Sequence, residues 1–75
     1  MRLLIYIEKV GISWRARVPG YPLKEAFADT EADAVRGISI ALHAFVSERR
    51  AGGQRLPLQP VMPKVLAGHT EWVTV

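Results

Sequence analysis

Asp29-Thr30-Glu31-Ala32-Asp33-Ala34 opens the stretch that decides the fold, residues 29–53, and Arg49-Arg50-Ala51-Gly52-Gly53 closes it. Thr30 stands as a helix N-cap, its hydroxyl placed to accept from the amide of Asp33. Asp33 can reach back in a capping-box arrangement, and Glu31 suits the positive end of the helix dipole. Ala34, Val35, Ile38, Ala41, Leu42, Phe45 and Val46 then recur at spacings of three and four. That period predicts one long helix with an apolar stripe turned to a core and Arg36, Ser39, His43, Ser47 and Arg50 turned elsewhere. Arg49 and Arg50 lie where cations suit the carbonyl end, and the glycines that follow supply the positive φ that closes a helix. Gly37 inside the helix costs about 1 kcal/mol relative to alanine. It reads as a close approach between helix and sheet.

Upstream, Leu3, Ile5 and Ile7 alternate with Leu4, Tyr6 and Glu8 in a strand whose second face is also partly apolar, which suits a central strand. Lys9-Val10-Gly11 supplies a tight turn with Gly11 at positive φ. Ile12, Trp14, Ala16 and Val18 then alternate with Ser13, Arg15 and Arg17, so the second strand sets one face on the core and an arginine-bearing face toward water or a partner. Pro19 ends the ladder because it has no amide proton, and a third strand is expected near Leu23 to Ala28.

Downstream, three prolines between Leu56 and Pro63 make an extended crossing that carries the chain back over the sheet. Gly68-His69 reads as a turn before a last strand, Glu71 to Val75, with Val65-Leu66 ahead of it. Two strands, a short third, a helix and a final strand predict a two-layer α+β domain spanning residues 1–75, its antiparallel sheet of three to four strands packed on one long helix.

Seventy-five residues without a cysteine exclude a disulfide framework and a cysteine zinc site, and they suit a reducing compartment such as the cytoplasm. A chain this short buries only about 60% of its unfolded surface. Self-association into a dimer or larger homo-oligomer is therefore the expected source of further buried area. No stretch approaches the length of a membrane span, so no membrane partner is expected. The net charge of +3 comes from ten basic and seven acidic residues, and only Arg15/Arg17 and Arg49/Arg50/Arg55 cluster, so the composition is mildly basic rather than that of a dedicated nucleic-acid binder.

Catalytic signatures are missing. His43 and His69 have no second metal ligand three or four positions away, the serines lack nucleophile-elbow glycines, and no glycine-rich phosphate loop occurs. Glu8, Glu25, Asp29 and Asp33 could together bind a divalent ion as a nuclease does, but a turn and a helix cap explain the two aspartates. The expectation is no enzyme and no catalytic, metal or cofactor site. The partner-facing candidates are Tyr6, Arg15 and Arg17. Tyr6, Trp14, Tyr21 and Trp72 could also stack bases if the sheet bound RNA, although Trp14 falls on the apolar face.

Pro19-Gly20, Asp29-Thr30-Glu31-Ala32-Asp33-Ala34, Leu42 to Val46, Gly53 and Leu56-Pro57-x-x-Pro60 together resemble the HicB-like antitoxin family. In that family a hairpin leads through a proline-glycine turn and a Gly-Asp-Thr-x-x-Glu-Ala helix start into a long helix with a Gly-x-x-(apolar)-Pro exit. This sequence departs from the pattern in having Ala28 for glycine, Tyr21 for cysteine, Asp33 for glutamate and Gly37 for asparagine. The resemblance implies a partial ribonuclease H-like fold without nuclease activity that neutralises a small RNA-cleaving toxin protein. It also implies a dimer or larger assembly, and, with no helix-turn-helix or ribbon-helix-helix in these residues, no operator binding by this chain alone. The alternative is a small RNA-binding protein using the exposed sheet face.

Overall fold

The computed structural model describes residues 1–60 and 68–75. β1 (Arg2–Val10) and β2 (Ser13–Arg17) form a hairpin, β3 (Ala26–Ala28) adds a short strand, α1 (Glu31–Ala51) crosses the sheet, and β4 (Gly68–Thr74) returns to it. The sheet order is β3-β2-β1-β4, so β1 is central, as its two partly apolar faces predict. Every neighbouring pair is antiparallel, with Tyr6 opposite Arg17, Glu8 opposite Arg15, Leu4 opposite Trp72, Tyr6 opposite Thr70 and Arg15 opposite Phe27. This is the expected two-layer α+β arrangement, with the third strand formed.

The core lies between the helix and one sheet face. Leu3, Ile5, Ile7 and Ala16 from the sheet and Val18 just past β2 meet Ala34, Ile38, Leu42 and Val46 from the helix, with Tyr21 at the margin. The fully buried helix positions therefore run at intervals of four. Val35 and Phe45, placed on the stripe by their spacing, are only partly buried on its flanks. Thr30 Oγ1 accepts from Asp33 N at 3.2 Å as the cap predicts, and the Asp33 carboxylate lies 3.8 Å from Arg36. Gly37 sits over β3, where an added Cβ would lie 3.4 Å from Ala26 Cβ. That is ordinary contact, not an obligatory glycine.

Several sequence expectations shift. The hairpin turn is Gly11-Ile12, since Val10 pairs with Ser13. Gly11 takes φ +63°, and Ile12, expected on the core side, points out of the turn with 90% of its surface exposed. Gly68 and His69 are not a turn but the start of β4, because β1 runs long enough to pair with both. Tyr21, offered as a stacking residue, is buried against Phe45, ring centroids 5.4 Å apart and edge to face. Val65-Leu66 and the end of the proline-rich crossing lie outside the described residues.

The crossing is anchored at Gln59. Its side-chain Oε1 accepts from Leu4 N at 2.8 Å, and its Nε2 donates to Leu4 O at 2.7 Å and to Pro19 O at 3.3 Å. Gly20, at φ +81°, lets the chain pass tightly here. A Cβ on it would fall 2.9 Å from Leu58 O and 3.0 Å from Pro60 Cδ.

Candidate interaction surface

The period-two geometry of the strands that sends odd β1 residues to the helix sends even ones to the opposite face, where no helix lies among the described residues. That open face carries Leu4, Tyr6 and Glu8 from β1, Arg15 and Arg17 from β2, Phe27 from β3, and Thr70 and Trp72 from β4, in the rows the register dictates. Phe27 and Trp72 each leave 60% of their surface exposed.

The structure brings Tyr6 and Arg17 together and sets Arg15 apart. Arg17 lies directly opposite Tyr6 and stacks on its ring, guanidinium carbon 4.5 Å from the centroid. Its Nε is screened from solvent with no acceptor among the described residues. At the far corner Arg2 stands over Trp72 at 5.6 Å. Neither guanidinium has an ion pair with a carboxylate among the described residues. Arg15, read from sequence as an equivalent outward cation, is instead clamped between Glu8, its cross-strand neighbour, and Glu25 at 3.5 Å. Its charge is spent within the sheet, which leaves Arg17 and Arg2 as the cations a visitor would meet. The same clamp ties Glu8 and Glu25 to one guanidinium. Beside Arg17, a cleft of about 370 Å³ opens at the end of β2, lined by Pro19, Tyr21, Leu23 and Glu25 among others.

On the helix side, His69 has the partners that its sequence neighbourhood did not reveal. Its Nε2 lies 2.6 Å from Glu31 Oε1 in the first helical turn and 3.3 Å from Glu71 Oε1 two residues along β4. All three side chains offer a metal-type ligand atom within 4.8 Å of one another. Atoms each about 2.1 Å from one tetrahedral ion stand roughly 3.4 Å apart, so the 2.6 Å pair is closed as a hydrogen bond and would have to open to admit a metal. As it stands, the cluster ties β4 to the helix start. His43 lies exposed on the helix.

Comparison of the chain with known protein families, with curated proteins and with solved structures finds no match.

Proposed function

We propose that this chain is a non-catalytic interaction module that docks a partner on its open sheet face and acts in the cytoplasm as HicB-like antitoxins do, neutralising a small RNA-cleaving toxin. The observation that carries the reading is the Tyr6–Arg17 stack beside exposed Trp72 and Phe27. Tyrosine, tryptophan and arginine dominate the energetics of protein interfaces, and here the apolar core does not require them where they stand. The exposed aromatic rings offer rigid apolar area, and Arg17 offers a guanidinium with no carboxylate partner among the described residues.

The test is co-purification with the products of neighbouring genes, followed by an RNA-cleavage assay of any small basic protein recovered. Suppression of that cleavage by the wild-type chain, and its loss with Tyr6→Ala or Arg17→Ala, is the expected result. If no such protein is encoded nearby or binds, the antitoxin reading fails.

One observation favours a second reading. Arg2 and Arg17, each on an aromatic ring and each without a carboxylate partner among the described residues, resemble a platform for single-stranded RNA, where bases stack on rings and cations meet phosphates. An RNA titration whose affinity falls with salt and with Arg17→Ala supports this reading. No binding at low salt eliminates it.

A further inference from the structure

The outer edge of β4 is the most unguarded element of the sheet. Gly68–Thr74 pairs with β1 over all seven residues in continuous register, and its sequence holds no proline or lysine, two of the devices that discourage strands from adding to an edge. The opposite edge, β3, is only three residues long. Among the described residues, no strand lies on the outer side of β4.

Which amides face outward follows from the ladder. Leu4 N and O are taken by Gln59 on the β2 side, so Leu4 and its partner Trp72 form a non-hydrogen-bonded pair across β1 and β4. Val75 N donates to Met1 O, which sets the odd residues of this strand toward β1. By alternation, the N–H and C=O groups of Gly68, Thr70, Trp72 and Thr74 point away from the sheet.

We infer that β4 pairs antiparallel with β4 of a second copy of this chain about a two-fold axis at Thr70, joining two four-stranded sheets into one of eight. With the axis perpendicular to the sheet both helices stay on one side, and only registers centred on a single residue keep each side chain opposite one on the same face. A centre at Glu71 sets two carboxylates against each other, and one at Trp72 sets Glu71 against Val73. The Thr70 centre sets the His69 imidazole opposite the Glu71 carboxylate of the other copy, twice by symmetry, so a ring that can donate faces an acceptor and no like charges meet. It also sets Trp72 opposite Gly68. Gly68 is bare because a Cβ there would collide with Ile7 O and Glu8. With that position filled by β1, the bare glycine leaves room on its outer side for the indole of the other copy. Thr70 meets Thr70 at the axis, and Gly68, Thr70 and Trp72 exchange outward backbone hydrogen bonds with their opposites. The pairing leaves the open sheet face uncovered and does not depend on which partner docks there.

Sedimentation and light scattering of the full chain are expected to give twice the chain mass at tens of micromolar. Thr70→Pro removes the amide at the axis but none that points to β1. It should yield a monomer with unchanged helical circular dichroism. The register is read separately by cysteine pairing, which is clean because the chain has no cysteine of its own. Chains with His69→Cys mixed with chains with Glu71→Cys should cross-link on mild oxidation to the mixed dimer, since positions 69 and 71 face each other in a non-hydrogen-bonded pair. A wild-type monomer up to millimolar concentration overturns the inference, as does a folded Thr70→Pro that stays dimeric, or cross-linking of Glu71→Cys with itself in preference to the mixture. If Thr70→Pro fails to fold, the cysteine mixture decides.

Discussion

Gln59 completes the hydrogen bonding of Leu4 that Pro19 cannot. The end of the β1–β2 ladder places Pro19 next to Leu4, and a proline has no N–H to give to the Leu4 carbonyl. The Gln59 carboxamide, arriving from 55 residues away, supplies both a donor and an acceptor with the spacing of a peptide group. Gln59→Ala leaves two partly buried backbone groups of the central strand unpaired, and is expected to lower stability by about 1 to 3 kcal/mol. Gln59→Glu keeps the acceptor and sets a carboxylate against the Leu4 and Pro19 carbonyls. Its folded pKa should then rise, so the lost stability returns as pH falls through the carboxylate range. Urea unfolding of both variants between pH 4 and 7 checks this. Wild-type stability in Gln59→Ala would show that the crossing is not anchored there.

The line Ala34, Ile38, Leu42, Val46 predicts a gradient of damage across the helix. Ile38→Asp or Leu42→Asp places a charge where no surface is exposed, at a cost of more than about 4 kcal/mol, against roughly 4 to 11 kcal/mol of total stability for a chain of this size. Both should be unfolded or insoluble. Val35→Asp and Phe45→Asp lie on the partly buried flanks and should fold with a lowered melting temperature, while His43→Asp should melt within a few degrees of the wild type. Equal melting of Ile38→Asp and His43→Asp would place the core elsewhere.

The contrast between these two sites marks what the sequence makes legible. Helix and hairpin are written in local periods and punctuation: Thr30 caps within three residues, Gly11 turns within two, and the stripe repeats every turn. One local reading slipped by a single residue, which moved Ile12 from the core into the turn. Gln59 carried no signal, because its role depends on a donor missing at Pro19 and a carbonyl at Leu4. The candidate surface was half legible for the same reason. Period two sends both Arg15 and Arg17 outward, but which meets a carboxylate and which an aromatic ring depends on cross-strand register. Likewise, the pairing of His69 with Glu31 exists only once β4 lies beside β1.

Arg15 and Arg17 should therefore separate in experiment. Arg15→Ala leaves Glu8 and Glu25 facing each other without a cation, so its effect should appear as lost stability, roughly 1 to 3 kcal/mol, with partner affinity changed little once folded protein is compared. Arg17→Ala removes a cation–π contact worth about 0.5 to 2 kcal/mol at a partly screened site, and its larger effect should be on binding. Measuring unfolding free energy and partner or RNA affinity for both variants gives the split. The same affinity loss from each would mean that Arg15 leaves its carboxylates to bind.

Tyr21 predicts a loss of stability at alkaline pH. Its ring packs edge to face on Phe45, yet its hydroxyl is buried with no hydrogen-bond partner among the described residues. Burial raises its pKa above the usual value of 10.0 by disfavouring the phenolate. A raised folded pKa means that the native state holds the proton more tightly than the unfolded chain. The contribution is thus fully present below the unfolded value and is lost as pH climbs through it toward the folded one. Tyr21→Phe keeps the ring pair and removes both the orphaned hydroxyl and the titration. At pH 7 it should equal the wild type or exceed it by up to about 1 kcal/mol. Above pH 10 its advantage should widen, because only the wild type gains a buried group under pressure to ionise. Paired urea titrations at the two pH values isolate the difference, since every other titrating group is common to both proteins. A constant gap, or a destabilised Tyr21→Phe, would mean that the hydroxyl has found a partner.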